Sequence, residues 1–112
     1  MTKRFERAMW LMRRHDPQAM EDGFGLLLPH AADHLDELIA EFAQERNGHG
    51  LRCWLLELIG EARSSQALPL LTEQLYSDDE SFRSWAVIGL KRLNTKQARR
   101  ELWKARCNGL ND

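Results

Sequence analysis

The chain is poor in the features that usually announce a small protein's chemistry. It has two cysteines, Cys53 and Cys107, which lie far apart and form no Cys-x-x-Cys pair. That excludes a disulfide framework and a cysteine zinc site as the organising device. Long apolar runs are missing as well. Near the N-terminus only Ala8 to Met12 is continuously apolar, with arginines on both sides. Such a run is too short for a signal-peptide core or a membrane span, so the expected setting is the cytoplasm, with no membrane partner. No segment alternates polar and apolar residues over a useful length, which removes strands from the reading. "GFG" and "NGHG" lack the strand context of a phosphate-binding loop. With a formal net charge of −1, no partner is selected by total charge.

The charge that is present is unevenly placed. Residues 16–45 carry eight acids and no Lys or Arg, whereas residues 91–106 carry seven bases against Glu101 alone. One part of the sequence is acidic and another basic. On a linear stack this polarity would favour weak, salt-sensitive head-to-tail homo-oligomers. It would also suit an acidic protein partner at the basic end.

Helical spacing fills the chain. Seven helices are expected, over about 3–14, 17–28, 32–46, 51–62, 65–76, 80–93 and 95–107, with the tail "NGLND" frayed. Asp16 and Pro17 suit the start of the second helix, which Gly23 and Gly25 weaken. Connections this short make neighbouring helices antiparallel. The chain also repeats itself. "LRCWLLELIGEA" (51–62) returns as "FRSWAVIGLKRL" (82–93), placing Arg52 over Arg83 and Trp54 over Trp85. The same shift places Gln66, Ala67 and Leu71 over Gln97, Ala98 and Leu102. A period of 31 to 33 residues with two helices per unit is the mark of an α-solenoid, in which each pair must stack to bury its apolar face.

These residues resemble the HEAT-like repeats first described in phycobilisome lyases. The family pattern falls in order on Leu51-Arg52, Ile59-Gly60, Ala67-Leu68 with Leu71, Asp78 or Asp79, and Phe82-Arg83. The resemblance covers about residues 47–107. It implies one all-α domain over 1–112, an α-α superhelix of the HEAT or armadillo type. Its clearest units are 47–77 and 78–107, with a degenerate unit over 17–46 and an extra helix over 3–14. Lys91 stands where the second unit would carry the glycine, and Asn47 where an earlier unit would carry the turn aspartate.

Members of such a family serve as scaffolds, lyase subunits, DNA glycosylases and a di-iron hydroxylase, so the resemblance leaves function open. The hydroxylases carry repeated His-Glu dipeptides, and this sequence has none. His30 and His34 in "HAADH", with Glu37, form at most half a metal site, and the plainer reading is a solvated helix start. No metal and no cofactor is expected. Cys53 beside Arg52 reads as a core position, because adjacent helical residues point about a quarter-turn apart. No coherent basic stripe supports a duplex, so nucleic acid is not the expected ligand.

The repeated residues are expected to be structural. Trp54 and Trp85 should pack between stacked units, and Arg52 and Arg83 should bond turn acids such as Asp78. The last helix differs, because Trp103 lies among Lys96, Arg99 and Arg100, as either a terminal cap or an interaction hot spot. The expected function is non-catalytic protein binding, as an adaptor or inhibitor-like module. The alternative is a lyase-type or DNA-repair-type enzyme or enzyme subunit.

Overall fold

A computed structural model describes residues 2–109, and those residues are predominantly helical, with no strand among them. The helices are α1 (Lys3–Met12), α2 (Pro17–Leu27), α3 (Leu35–Gln44), α4 (His49–Glu61), α5 (Leu68–Gln74), α6 (Glu80–Leu93) and α7 (Lys96–Cys107). The expected frayed tail lies outside the described residues from position 110 onward. Hydroxyl and carboxylate caps set the starts. Thr2, Asp16, Asp79 and Thr95 each accept the backbone N–H three residues on, at 3.0–3.1 Å. Each thereby satisfies one of the N–H groups left orphaned at a helix start.

Several boundaries differ from the sequence reading, among them that of α5, which begins at Leu68 after a short 3-10 turn over Ser65–Ala67 rather than at position 65. Residues Leu28–His34 form a 3-10 segment, kinked at His30 (φ −121°, ψ 20°), and α3 begins only at Leu35. Pro29 explains the change of geometry, since it has no N–H to donate back into α2. The kink also removes the regular helical spacing on which a paired His30/His34 site depended. α4 begins two residues earlier than its apolar pattern suggests, because the Glu45 carboxylate accepts the Gly48 N–H at 2.9 Å and turns the chain into the helix.

α4 is the central helix. α3 and the first 3-10 segment pack on it, as does α6, while α5 and α7 pack on α6. Leu55, Leu56, Leu58, Ile59 and Gly60 are all buried. A wheel with a single core side accounts for Leu55 and Leu58 but not for Leu56 or Gly60. A helix covered from several directions has no single apolar stripe. At the crossing with α6 the backbones nearly touch, since a Cβ on Gly60 would stand 2.9 Å from Gly89 Cα. Gly89, not Lys91, is therefore the second small residue of the interface. The described residues extend 40 × 25 × 21 Å, with a radius of gyration of 13.9 Å.

α1 lies on α2 and buries Phe5, Ala8, Met9 and Met12. Gly23 makes this close approach feasible, since a Cβ there would stand 2.6 Å from the Ala8 carbonyl oxygen. Two residues on, a Cβ at Gly25 would meet nothing within 4 Å. The two glycines should therefore respond oppositely to the same substitution. Gly25→Ala is expected to stabilise the protein by about 0.5–1 kcal/mol through helix propensity and a less free unfolded chain. Gly23→Ala should destabilise it by about 1–3 kcal/mol, because backbone must move. Urea unfolding of both variants tests this, and equal responses would mean that α1 does not sit on α2 as described.

Polar contacts also fasten α1. Arg13 pairs with Glu41 and, at 2.6 Å, with Glu45 of the segment after α3. The Thr2 N–H donates to Glu37 at 3.0 Å. For Glu37, burial pushes the carboxyl up, but the His34 ring and the Thr2 N–H hold it below its ordinary value. Glu45 is held low by Arg13 and the Gly48 N–H against the opposing effect of burial. Carboxyls lowered on folding stabilise the protein above their unfolded pKa, about 4.3 for Glu, and that contribution is lost as pH falls through the lower folded values. Thermal stability should thus hold from neutral pH to about pH 5 and fall below about pH 4. In Glu45→Gln the acid-limb slope should be shallower, and an unchanged slope would remove Glu45 from this account.

Candidate functional site

The repeated arginines reach backward along the chain. Arg52 donates through Nη2 to the Phe42 carbonyl of α3 at 3.3 Å, and Arg83 donates through Nη1 to the Ser77 carbonyl after α5 at 2.8 Å. Arg99 does the same to the Asn94 carbonyl after α6 at 2.8 Å, and also reaches Asn94 Oδ1 at 3.1 Å. Each guanidinium thus covers carbonyls near the end of the preceding helix, where intrahelical donors run out. This corrects the expected pairing with turn acids. Asp78 is exposed, and its neighbour Asp79 is the residue that caps α6. Carbonyls win because they lie fixed at the end of the preceding helix, within the arginine's reach. The two tryptophans are half-buried against the core, with Trp54 edge-on to Phe24 of α2 at 4.9 Å between centroids.

α7 presents the most exposed aromatic residue of the described chain. Trp103 is 65% exposed, while Ala98 and Ala105 face inward. Of the neighbouring bases, Arg99 is committed to Asn94, but Lys96 and Arg100 are exposed and form no ion pair among the described residues. Trp10 on α1 is a second exposed tryptophan, at 57%, but the Arg14 guanidinium lies over its ring at 4.7 Å. The acidic run is less acidic in space than in sequence, because Arg13 from α1 pairs with two of its carboxylates.

A groove of about 430 Å³ runs between α3, α4 and α5. Ile39, Phe42, Ala43 and Leu70 give it apolar walls, and Arg46, Arg52, Glu73 and Gln74 give it polar ones. Sequence reasoning did not find this groove. Its residues come from three helices and share no spacing.

Three groupings suggested chemistry and are resolved by their geometry. His49 Nε2 lies 2.9 Å from Asp79 Oδ2 and 4.0 Å from Cys53 Sγ. The residue types are those of a nucleophilic triad, but both partners meet the same ring nitrogen, so His49 cannot relay a proton between them. Burial and the Asp79 charge push the Cys53 thiol up, against the pull of Arg52, which disfavours the thiolate. Burial likewise raises Glu57, with Arg92 opposing and Glu61 adding to the rise. Glu57 does not line the groove, so no carboxylate pair faces a cavity there. His34 is 3% exposed, with Nδ1 2.8 Å from Glu37 and Nε2 3.4 Å from an Arg4 nitrogen. Both ring nitrogens of His34 are thus engaged by side chains of the protein itself. His30 turns instead toward Asp33 at 3.8 Å. Among the described residues no group of three His, Cys, Asp or Glu side chains is placed to hold a metal ion, and no helix is long and apolar enough to cross a membrane. No protein-family model matches the chain, and no curated protein or solved structure matches it significantly.

Proposed function

We propose that the chain is a HEAT-like repeat module that acts as a non-catalytic protein-binding adaptor in the cytoplasm. In this reading α4–α5 and α6–α7 are successive stacked units, and the outer face of α7 receives an acidic protein partner. Three features support the repeat reading: the doubled sequence, the contact of α4 with α6, and two arginines at equivalent sequence positions that each donate to a backbone carbonyl of the preceding segment. The observation that carries the binding reading is Trp103, 65% exposed beside Lys96 and Arg100. A largely exposed tryptophan outside the core, on a helix that also carries two cations with no ion pair among the described residues, has the composition of an interface anchor. A terminal cap would need the polar face but not the exposed indole.

The test separates folding from binding. Trp103→Ala should unfold within about 0.5 kcal/mol of the native protein, as exposed substitutions do. It should also lose the proteins that co-purify with the native chain from its own cells, as should Arg100→Glu. A large stability loss in Trp103→Ala would make the indole a structural cap, and unchanged co-purification in both variants would remove α7 from the interface.

A further inference from the structure

We infer that the groove between α3, α4 and α5 is a second recognition site, taking a short protein segment that places a carboxylate next to aliphatic side chains. The inference rests on the adaptor reading of the chain but uses a different surface from α7. Its central element is Arg52. The guanidinium carbon lies 3.9 Å over the Phe42 ring and 5.0 Å from the Phe82 ring, and Nη2 donates to the Phe42 carbonyl. Two rings and a carbonyl therefore fix the plane of the fork before any ligand arrives. A fixed guanidinium plane is suited to a carboxylate, since less freedom is lost on pairing.

This fork has no carboxylate of its own. Among the described residues neither Arg52 nor Arg46, the other cation of the groove, has an acidic oxygen within 4.0 Å. The neighbouring repeat arginine, Arg83, is not among the residues that line this groove. Facing the cations are Leu70, Ile39 and Ala43, and Gln74, which is 9% exposed and whose amide meets only Glu73, at 3.4 Å. An amide held at the wall of an apolar groove, with so long an internal bond, is placed to pair with the backbone of an extended segment. The two arginines against the single acid Glu73 leave the groove one positive charge in excess, so the acid belongs to the ligand. A volume of about 430 Å³ falls within the ordinary range for ligand sites and accommodates a few side chains, not a folded domain.

The probe is a pool of acetylated tetrapeptide amides with one internal aspartate flanked by leucine, isoleucine, valine or phenylalanine. A matched pool carries asparagine instead. Titrated into the isotope-labelled full chain, the aspartate pool should shift the amide resonances of Ile39, Ala43, Leu70 and Gln74 saturably. The asparagine pool should bind about tenfold more weakly, as expected when a charge-assisted pair is lost. Arg46→Glu, at an exposed position, and Leu70→Glu should each abolish the shifts while the variants keep the native helical spectrum. Arg52→Lys, which keeps the charge but not the fork, should weaken binding of the aspartate pool to the level of the asparagine pool. Trp103→Ala should leave the titration unchanged, so failure at α7 and failure at the groove are separate results. Equal binding of the two pools, shifts confined to α7, or no saturable shift at millimolar peptide would each overturn the inference.

Discussion

Phe42→Ala is expected to destabilise the protein by about 3–5 kcal/mol, the range for large aromatic truncations in cores. Phe42 is 2% exposed, and it holds more than its own volume. Its ring meets Phe82 of α6 edge-on at 5.9 Å and carries the Arg52 guanidinium at 3.9 Å. His49 stacks on the other aromatic, Phe82, at 5.2 Å. One truncation therefore loosens a junction of α3, α4 and α6, and leaves the Arg52 guanidinium facing a cavity. Marginal stability of a domain this size makes such a loss visible as partial unfolding at moderate temperature. Urea unfolding of the purified variant measures it. A loss below about 1 kcal/mol would mean that the site collapses around the missing ring and that the junction is not shared.

Gly60→Ala is the second large effect. Helix propensity alone would favour alanine by about 1 kcal/mol. Geometry opposes it, because the new methyl would stand 2.9 Å from Gly89 Cα, and a backbone atom cannot swing aside. The clash should win, with a net loss of about 1–3 kcal/mol. Gly89→Ala supplies the internal comparison. Its methyl would first meet Leu71 side-chain carbons at 3.0 and 3.1 Å, with Gly60 Cα at 3.2 Å. Leu71 can adjust its rotamer, so Gly89→Ala should be the milder variant, within about 1 kcal/mol of the native protein. Should Gly60→Ala unfold at the same urea concentration as the native protein, α4 and α6 would have room to separate, and the close crossing would not be a constraint on sequence.

Helix existence was legible in the sequence because it depends on local chemistry. The helix start at Asp16 and Pro17 and the helical spacing of apolar residues along the chain act within a few residues. The doubled stretch was legible for the same reason, and so was the exposure of Trp103, whose position on the helix sets it apart from Ala98 and Ala105. Contacts between distant segments were not legible. Nothing local tells Arg52 and Arg83 to prefer carbonyls over the turn acids, since that choice depends on where the preceding helix ends in space. Nor does the sequence separate Gly23, pressed on Ala8, from Gly25, which faces open space. The groove belongs to the same class, because Ile39, Arg52 and Gln74 become neighbours only when α3, α4 and α5 have packed. Periodicity and capping are properties of a segment and survive in the bare sequence. Close approach, carbonyl capping by a distant arginine and a shared groove are properties of pairs of segments, and only tertiary packing decides them.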